Sequence, residues 1–321
     1  MDNSVFFTNS YSPKIEEMRK TISQIIVGQE NMIDLILTAI LADGHVLIEG
    51  VPGIAKTLTA RVISKLLNAD FSRIQFTSDL MPSDVLGTNV FNMQTNAFDF
   101  HKGPAFGDII LVDEINRAPA KTQSALFEVM EERQATIDGV RYDMGNVYTI
   151  IATQNPIEQE GTYRLPEAQL DRFLFKINMG YPTLDEEIKI ILSHNEKKNF
   201  TKLEELSPIL TKEELIDLRN LAHGILIDEK LIRYIAQIVQ ESRSNQSIYM
   251  GASPRASIAL LNASKAFALL QGRAFVIPDD IKMLAVPVLC HRLILASQAE
   301  MEGIPVETII KEIVKNVEVP K

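Results

Sequence analysis

His45–Thr57 reads HVLIEGVPGIAKT, and no other stretch constrains the chain as strongly. Val46, Leu47 and Ile48 form a short apolar run suited to a buried strand, and Leu58–Leu67 has a helical pattern. Strand, glycine-bearing turn and helix in that order are the setting of a phosphate-binding loop. Backbone N–H groups of such a turn wrap a polyphosphate, and the helix N-terminus adds the positive end of its dipole. Lys56 then reaches the β- and γ-phosphates, and the Thr57 hydroxyl holds Mg²⁺. Gly50, Pro52, Gly53, Ile54, Ala55 and Leu58 complete the candidate nucleotide contacts. Ala55 stands where the G-x-x-x-x-G-K-T pattern has its last glycine. If that backbone is left-handed, alanine costs about 1–2 kcal/mol. In the ordinary helical region it costs nothing.

A second signal lies about 60 residues on. Asp108–Glu114, DIILVDE, is an apolar run ending in an acidic pair, as a buried central strand does where its carboxyl end meets a ligand. Asp113 is placed to order a Mg²⁺ shell, and Glu114 to activate an attacking water. A strand ending in Asp-Glu is weak alone. Downstream of a phosphate loop it completes one site.

The other elements follow from periodicity. Pro13–Ile26 has an apolar face of Ile15, Met18, Ile22, Ile25 and Ile26, and Asn31–Ala42 resumes a helix. The intervening Ile26-Val27 is a candidate cover for the adenine base, although such residues are more often plain core. Phe71–Phe76, Val147–Thr153 and Phe173–Met179 read as further strands. Leu86–Gly103 reads as a β-hairpin with a polar tip at Met93–Asn96, and Ala135–Asp143 as another that turns at Asp138-Gly139. Asn155, held out of the helical region by Pro156, stands at a strand's carboxyl end. Gly161–Gly180 gives a short helix carrying Asp171-Arg172 before the fifth strand. After Tyr181-Pro182 the patterns are helical: Leu184–Lys197, Thr211–Ala222, Asp228–Arg243, Pro254–Leu270, Pro278–Ala296 and Val306–Val314. Arg255 falls in the first turn of the fourth, where the helix dipole disfavours a cation unless an anion lies outside.

Composition narrows the function. A hydrophobic content of 46% over 321 residues supports a large core, and no apolar run reaches membrane-spanning length. The N-terminal MDNSVFFTNSYSPK lacks the pattern of a signal peptide, and the single cysteine, Cys290, excludes an intramolecular disulfide; a cytoplasmic location is expected. A net charge of −10 argues against broad electrostatic binding to nucleic acid.

Together, GVPGIAKT, VDEINRAPAKTQSALFEVMEERQ (Val112–Gln134), ATQNP, LPEAQLDRF and GASPRA resemble the MoxR family of AAA+ ATPases over nearly the whole chain. The resemblance implies an α/β P-loop domain, residues 1–180, with a parallel five-stranded sheet and two β-hairpin insertions (about 86–103 and 135–146). An all-helical lid, residues 181–321, follows. It implies Lys56 and Thr57 as Walker A, Asp113 and Glu114 as Walker B, Asn155 as sensor 1, and Arg172 as an arginine finger, with Arg164 a rival. Arg255 resembles a sensor 2 that the lid carries onto the γ-phosphate. The implied cofactors are ATP/ADP and Mg²⁺. The implied partners are further copies in a hexameric ring, a protein with a von Willebrand factor A domain, and a client to be remodelled. A nucleic-acid motor and a non-catalytic nucleotide-binding scaffold are the alternatives.

Glu114→Gln should bind ATP like the parent and lose turnover, because an amide cannot act as a base. Binding of a fluorescent nucleotide and phosphate release, measured on the same sample, check both halves.

Overall fold

The structure, a computed structural model, describes residues 11–50, 55–155, 162–163, 165–195 and 203–320. Eleven strands lie among the described residues. β1 (Val46–Gly50), β2 (Phe71–Gln75), β5 (Ile109–Asp113), β8 (Thr149–Gln154) and β9 (Phe175–Met179) form one parallel sheet in the order β2-β5-β8-β1-β9. β3 (Gly87–Asn92) pairs with β4 (Ala97–Lys102), and β6 (Gln134–Ile137) with β7 (Val140–Asp143), as two antiparallel hairpins. Asp138 and Gly139 both take positive φ, 50° and 81°, as a tight two-residue turn requires.

The sheet is buried on both faces, and its strands sort their side chains by the period of two. Val46 and Ile48 of β1, Ile109 and Leu111 of β5, and Ile151 of β8 enter one core. Leu47, Ile110, Val112, Ile150 and Ala152 enter the other, beneath the helix Ala120–Glu132. The first core is shared with helices Ser12–Ile25, Glu30–Leu41 and Lys56–Leu66.

The chain leaves the sheet after β9, but the core does not stop there. Helix Glu30–Leu41, with ten buried residues, packs against helix Pro254–Leu270 of the C-terminal part. Leu260, Ala263 and Phe267 join Ile36 and Ile40 in one continuous cluster. Polar ties reinforce the seam. Arg219 donates to Ile40 O (2.9 Å) and Asn146 O (2.8 Å), and Lys212 pairs with Asp70 (2.9 Å) and Asp108 (2.5 Å). The lid is thus fastened to the helical face of the sheet.

Three expectations need correction. The lid is not all helical: β10 (Ile248–Met250) and β11 (Ile294–Leu295) form a short antiparallel ladder. The helix expected over Pro278–Ala296 stops at Leu289. Asp171-Arg172 lies in the turn after the short helix Glu167–Leu170, not on it. Each departure occurs where a side chain or strand from a distant segment offers better partners than another helical turn. No helix among the described residues is long and apolar enough to cross a membrane.

His45, at the start of β1, is 4% exposed. Ile150 N–H donates to Nδ1 (3.0 Å), so Nε2 carries the proton given to Met130 O (3.2 Å). Burial first, then the charge of Arg133, holds its pKa down to about 3. Burial likewise pushes His291 well below its usual value. Unfolded histidine titrates near 6.5, so the unfolded chain takes up protons that the folded chain refuses. Stability is full above that value and declines as pH falls from about 6.5 toward 3. At about pH 5, His45 alone should remove roughly 2 kcal/mol. Urea melts of the parent and of His45→Gln should show the variant losing part of this pH dependence.

Candidate active site

Four strand ends converge at the carboxyl edge of the sheet: Gly50 of β1, Gln75 of β2, Asp113 of β5 and Gln154 of β8. Ligands bind at this edge of open α/β sheets because the loops diverge there. A cavity of about 420 Å³ opens at it. Its described lining brings together Gly50, Ala55, Lys56, Thr57, Leu58, Asp113, Glu114 and Asn155, all expected from sequence. Pro52, Gly53 and Ile54 lie outside the described residues, as does Arg164. Ile26 and Val27 are not among the described residues that line the cavity. Apolar drive takes Ile26 into the core, 2% exposed, while Val27 is half-buried.

Lys56 heads the helix Lys56–Leu66, and its ammonium donates to Gly50 O (2.7 Å). Burial lowers its pKa, while Asp113, Glu114 and Glu49 oppose that shift. A partly desolvated cation of this kind favours an anion that brings more charge than one carbonyl oxygen can.

Asp113 is 9% exposed. Its carboxylate accepts from Arg73 Nε (2.7 Å) and from Thr153 Oγ1 (3.2 Å). The Glu114 N–H donates to Thr153 Oγ1 (3.1 Å), so one threonine sets the spacing of both acidic residues. Glu114 Oε2 accepts from Gln75 Nε2 (2.9 Å) and from Arg117 (3.1 Å). The Glu114 backbone is left-handed, φ 56°, a strain that turns its carboxylate away from the strand and toward the cavity.

Thr57 and Asp113 offer hard oxygen donors, the chemistry Mg²⁺ requires. That ion keeps several waters and takes its remaining oxygens from one or two carboxylates and substrate phosphates. Among the described residues there is no group of three or more His, Cys, Asp or Glu that could cage a metal by itself.

Comparison with known proteins bears on this geometry. Residues 45–175 match the model of the "ATPase family associated with various cellular activities (AAA)", and residues 240–313 that of an AAA lid domain. An uncharacterised Bacillus subtilis protein, YeaC, is 47% identical over 96% of this chain and 95% of its own. The Mycobacterium tuberculosis chaperone MoxR1 is 41% identical over 94% of this chain and 81% of its own. The crystal structure of a presumptive ATPase from Cytophaga hutchinsonii superposes with a TM-score of 0.90 at 40% identity, covering 100% of this chain and 98% of that one.

The chain belongs to the MoxR family of AAA+ ATPases. It is an ATPase.

Two arginines of this MoxR ATPase lie elsewhere. Arg255, expected over its own γ-phosphate, borders a second depression beside Asp43, Gly44, Asp171 and Arg172. Asp43 and Gly44 precede β1, whereas Gly50 ends it. At about 3.3 Å per residue, the strand puts roughly 20 Å between Arg255 and its own phosphate loop. The buried seam with helix Glu30–Leu41 holds the lid there, so Arg255 is not a sensor for its own nucleotide in this arrangement. Arg172 occupies the same end of the sheet. Glu131 joins the two, 2.6 Å from Arg172 and 3.3 Å from Arg255.

Sequence reading missed Arg73, Gln75 and Arg117. The first two were within reach: in β2, Arg73 and Gln75 flank the buried Ile74, so a period of two puts both polar groups on one face.

Ala55 has φ 57° and ψ 19°, so the left-handed alternative holds. Ala55→Gly should relieve about 1–2 kcal/mol of strain against roughly 0.5–1 kcal/mol of extra glycine entropy. Denaturant melts should show a gain of up to about 1.5 kcal/mol. ATP affinity should change less than threefold or so, because the strain is present with or without ligand.

Proposed function

We propose that the chain is a Mg²⁺-dependent, ring-forming ATPase that remodels a partner protein, and that each active site is completed by the neighbouring subunit. The observation that carries this reading is the placement of Arg172. It lies before β9 at the amino edge of the sheet, about the length of a strand from its own Lys56. A guanidinium so placed can serve only another molecule's phosphates. It is always charged and can bridge two phosphate oxygens, which suits it to charge that develops during phosphoryl transfer. Arg255, joined to it through Glu131, would enter the same neighbouring site.

Within one chain, Lys56 holds the phosphates, and Thr57 and Asp113 would hold Mg²⁺. That ion, when bound, neutralises charge on the phosphates. Glu114 takes the proton from the attacking water. Gln75 and Arg117 hold its carboxylate, and Asn155 stands beside it to orient the water or the transferring phosphate.

A chaperone-like role is supported by the likeness to MoxR1. The hairpins give it a working surface. Asn89 donates to Asp138 (2.6 Å) and the Phe100 and Tyr142 rings lie 4.1 Å apart, so the two hairpins form one unit. That unit exposes Phe91, Met93, Phe98 and Val140. Exposed apolar groups on a rigid arm suit a protein client better than nucleic acid, as does the net charge of −10. A hexameric ring, a partner bearing a von Willebrand factor A domain and a cytoplasmic location belong to the same proposal.

Arg172→Ala and Glu114→Gln subunits should each bind ATP and hydrolyse it slowly, with losses on the order of 10³-fold. Mixed in one ring, they should regain turnover. There an Arg172→Ala subunit keeps its Glu114 and receives Arg172 from its neighbour. Mixed rings that form yet stay inactive would sink the shared site.

A further inference from the structure

The lid reaches back to the turn that carries Arg172. Arg292, just past helix Pro278–Leu289, has a side chain only 4% exposed. Its Nε donates to Asp171 Oδ1 (2.7 Å). One terminal nitrogen donates to Asp171 O (3.2 Å) and Phe173 O (2.7 Å), the other to Leu174 O (3.3 Å) and Val288 O. The neighbouring His291 also gives its Nε2 proton to Phe173 O (2.9 Å). One guanidinium therefore binds the carbonyls on either side of Arg172 and the carboxylate beside it, from 121 positions away in sequence.

We propose that Arg292 is a positioning residue for Arg172, which makes the lid and the arginine finger of one subunit a single moving part. This rests on the shared-site reading above. The turn 171–174 follows a helix of four residues, Glu167–Leu170, too short to define a direction by itself. A planar guanidinium with five donors fixes several carbonyls at once, where a lysine would hold one and leave the rest unpaired in a buried place. The same lid carries Arg255, whose guanidinium lies 4.0 Å from Asp171 and 3.3 Å from Glu131. Any tilt of the lid then shifts Arg172 and Arg255 together relative to the next subunit's nucleotide. Displacement of a catalytic group by about 1 Å is enough to cost on the order of a hundredfold in rate.

The test uses mixed rings. The reference is Arg172→Ala with Glu114→Gln, in which the Glu114→Gln subunit donates the finger. In the donor arm, Arg292→Lys is added to that subunit; in the acceptor arm it is added to the Arg172→Ala subunit. Recovered turnover should fall at least about tenfold in the donor arm and stay within about twofold of the reference in the acceptor arm. Equal losses in both arms, or none in either, would overturn the role, the first by showing a general structural tie. A reference mixture that forms rings but stays inactive would instead overturn the shared site itself, and the positioning role with it. Should Arg292→Lys not fold, Asp171→Asn enters the same two arms with the same expected asymmetry.

Discussion

The buried seam between helix Glu30–Leu41 and helix Pro254–Leu270 decides more of this molecule than any single catalytic residue. It is apolar, continuous with the core under the sheet, and closed at its rim by Arg219 and Lys212. Opening it would expose fully buried residues such as Ile36, Leu260 and Ala263. At about 25 cal/mol per Å² of apolar surface, that is a cost no lone arginine–phosphate contact offsets. The lid therefore rides on the back of the sheet. Two of its arginines, Arg255 and Arg292, reach Glu131 and Asp171 beside the amino edge, opposite the cavity.

The two ends of the sheet then hold different chemistries. At the carboxyl edge, a partly buried lysine faces two carboxylates, with Arg73, Gln75 and Arg117 occupying their oxygens. Each buried charge has a partner, as the cost of desolvation demands. At the amino edge, Glu131 and Asp171 hold three arginines in a chain of ion pairs. Glu131 has its pKa lowered chiefly by its hydrogen bond from Arg172. These guanidinium groups are oriented by carboxylates, as the proposed shared site requires of groups that meet a neighbour's phosphate.

Two of the seven non-glycine residues with positive φ among the described residues lie at the nucleotide edge. Ala55 and Glu114 both take left-handed conformations without being glycine, at the start of the helix after β1 and at the end of β5. Both residues line the cavity.

Local chemistry was legible in the sequence. Apolar runs of three or four residues marked β1, β5 and β8, because strands buried on both faces admit little else. The Lys56-Thr57 and Asp113-Glu114 pairs declared the cavity, since both sit where a strand must end. Asp138-Gly139 declared its hairpin through the positive φ that only such residues adopt readily. What tertiary structure alone decided was which of these pieces share a site. Arg255 could be read as a cation in a helix's first turn, but not as one facing Glu131 and Arg172. Arg292 looked like one arginine among many in a helical stretch. Its burial against the Asp171 carboxylate and the carbonyls of Asp171, Phe173 and Leu174 depends on packing across 121 positions, and no periodicity records that. Short-range pattern specifies strands, turns and caps because their partners lie within a few residues. The direction in which a lid faces is set by the sum of apolar contacts over a whole interface, and that sum exists only in the folded chain.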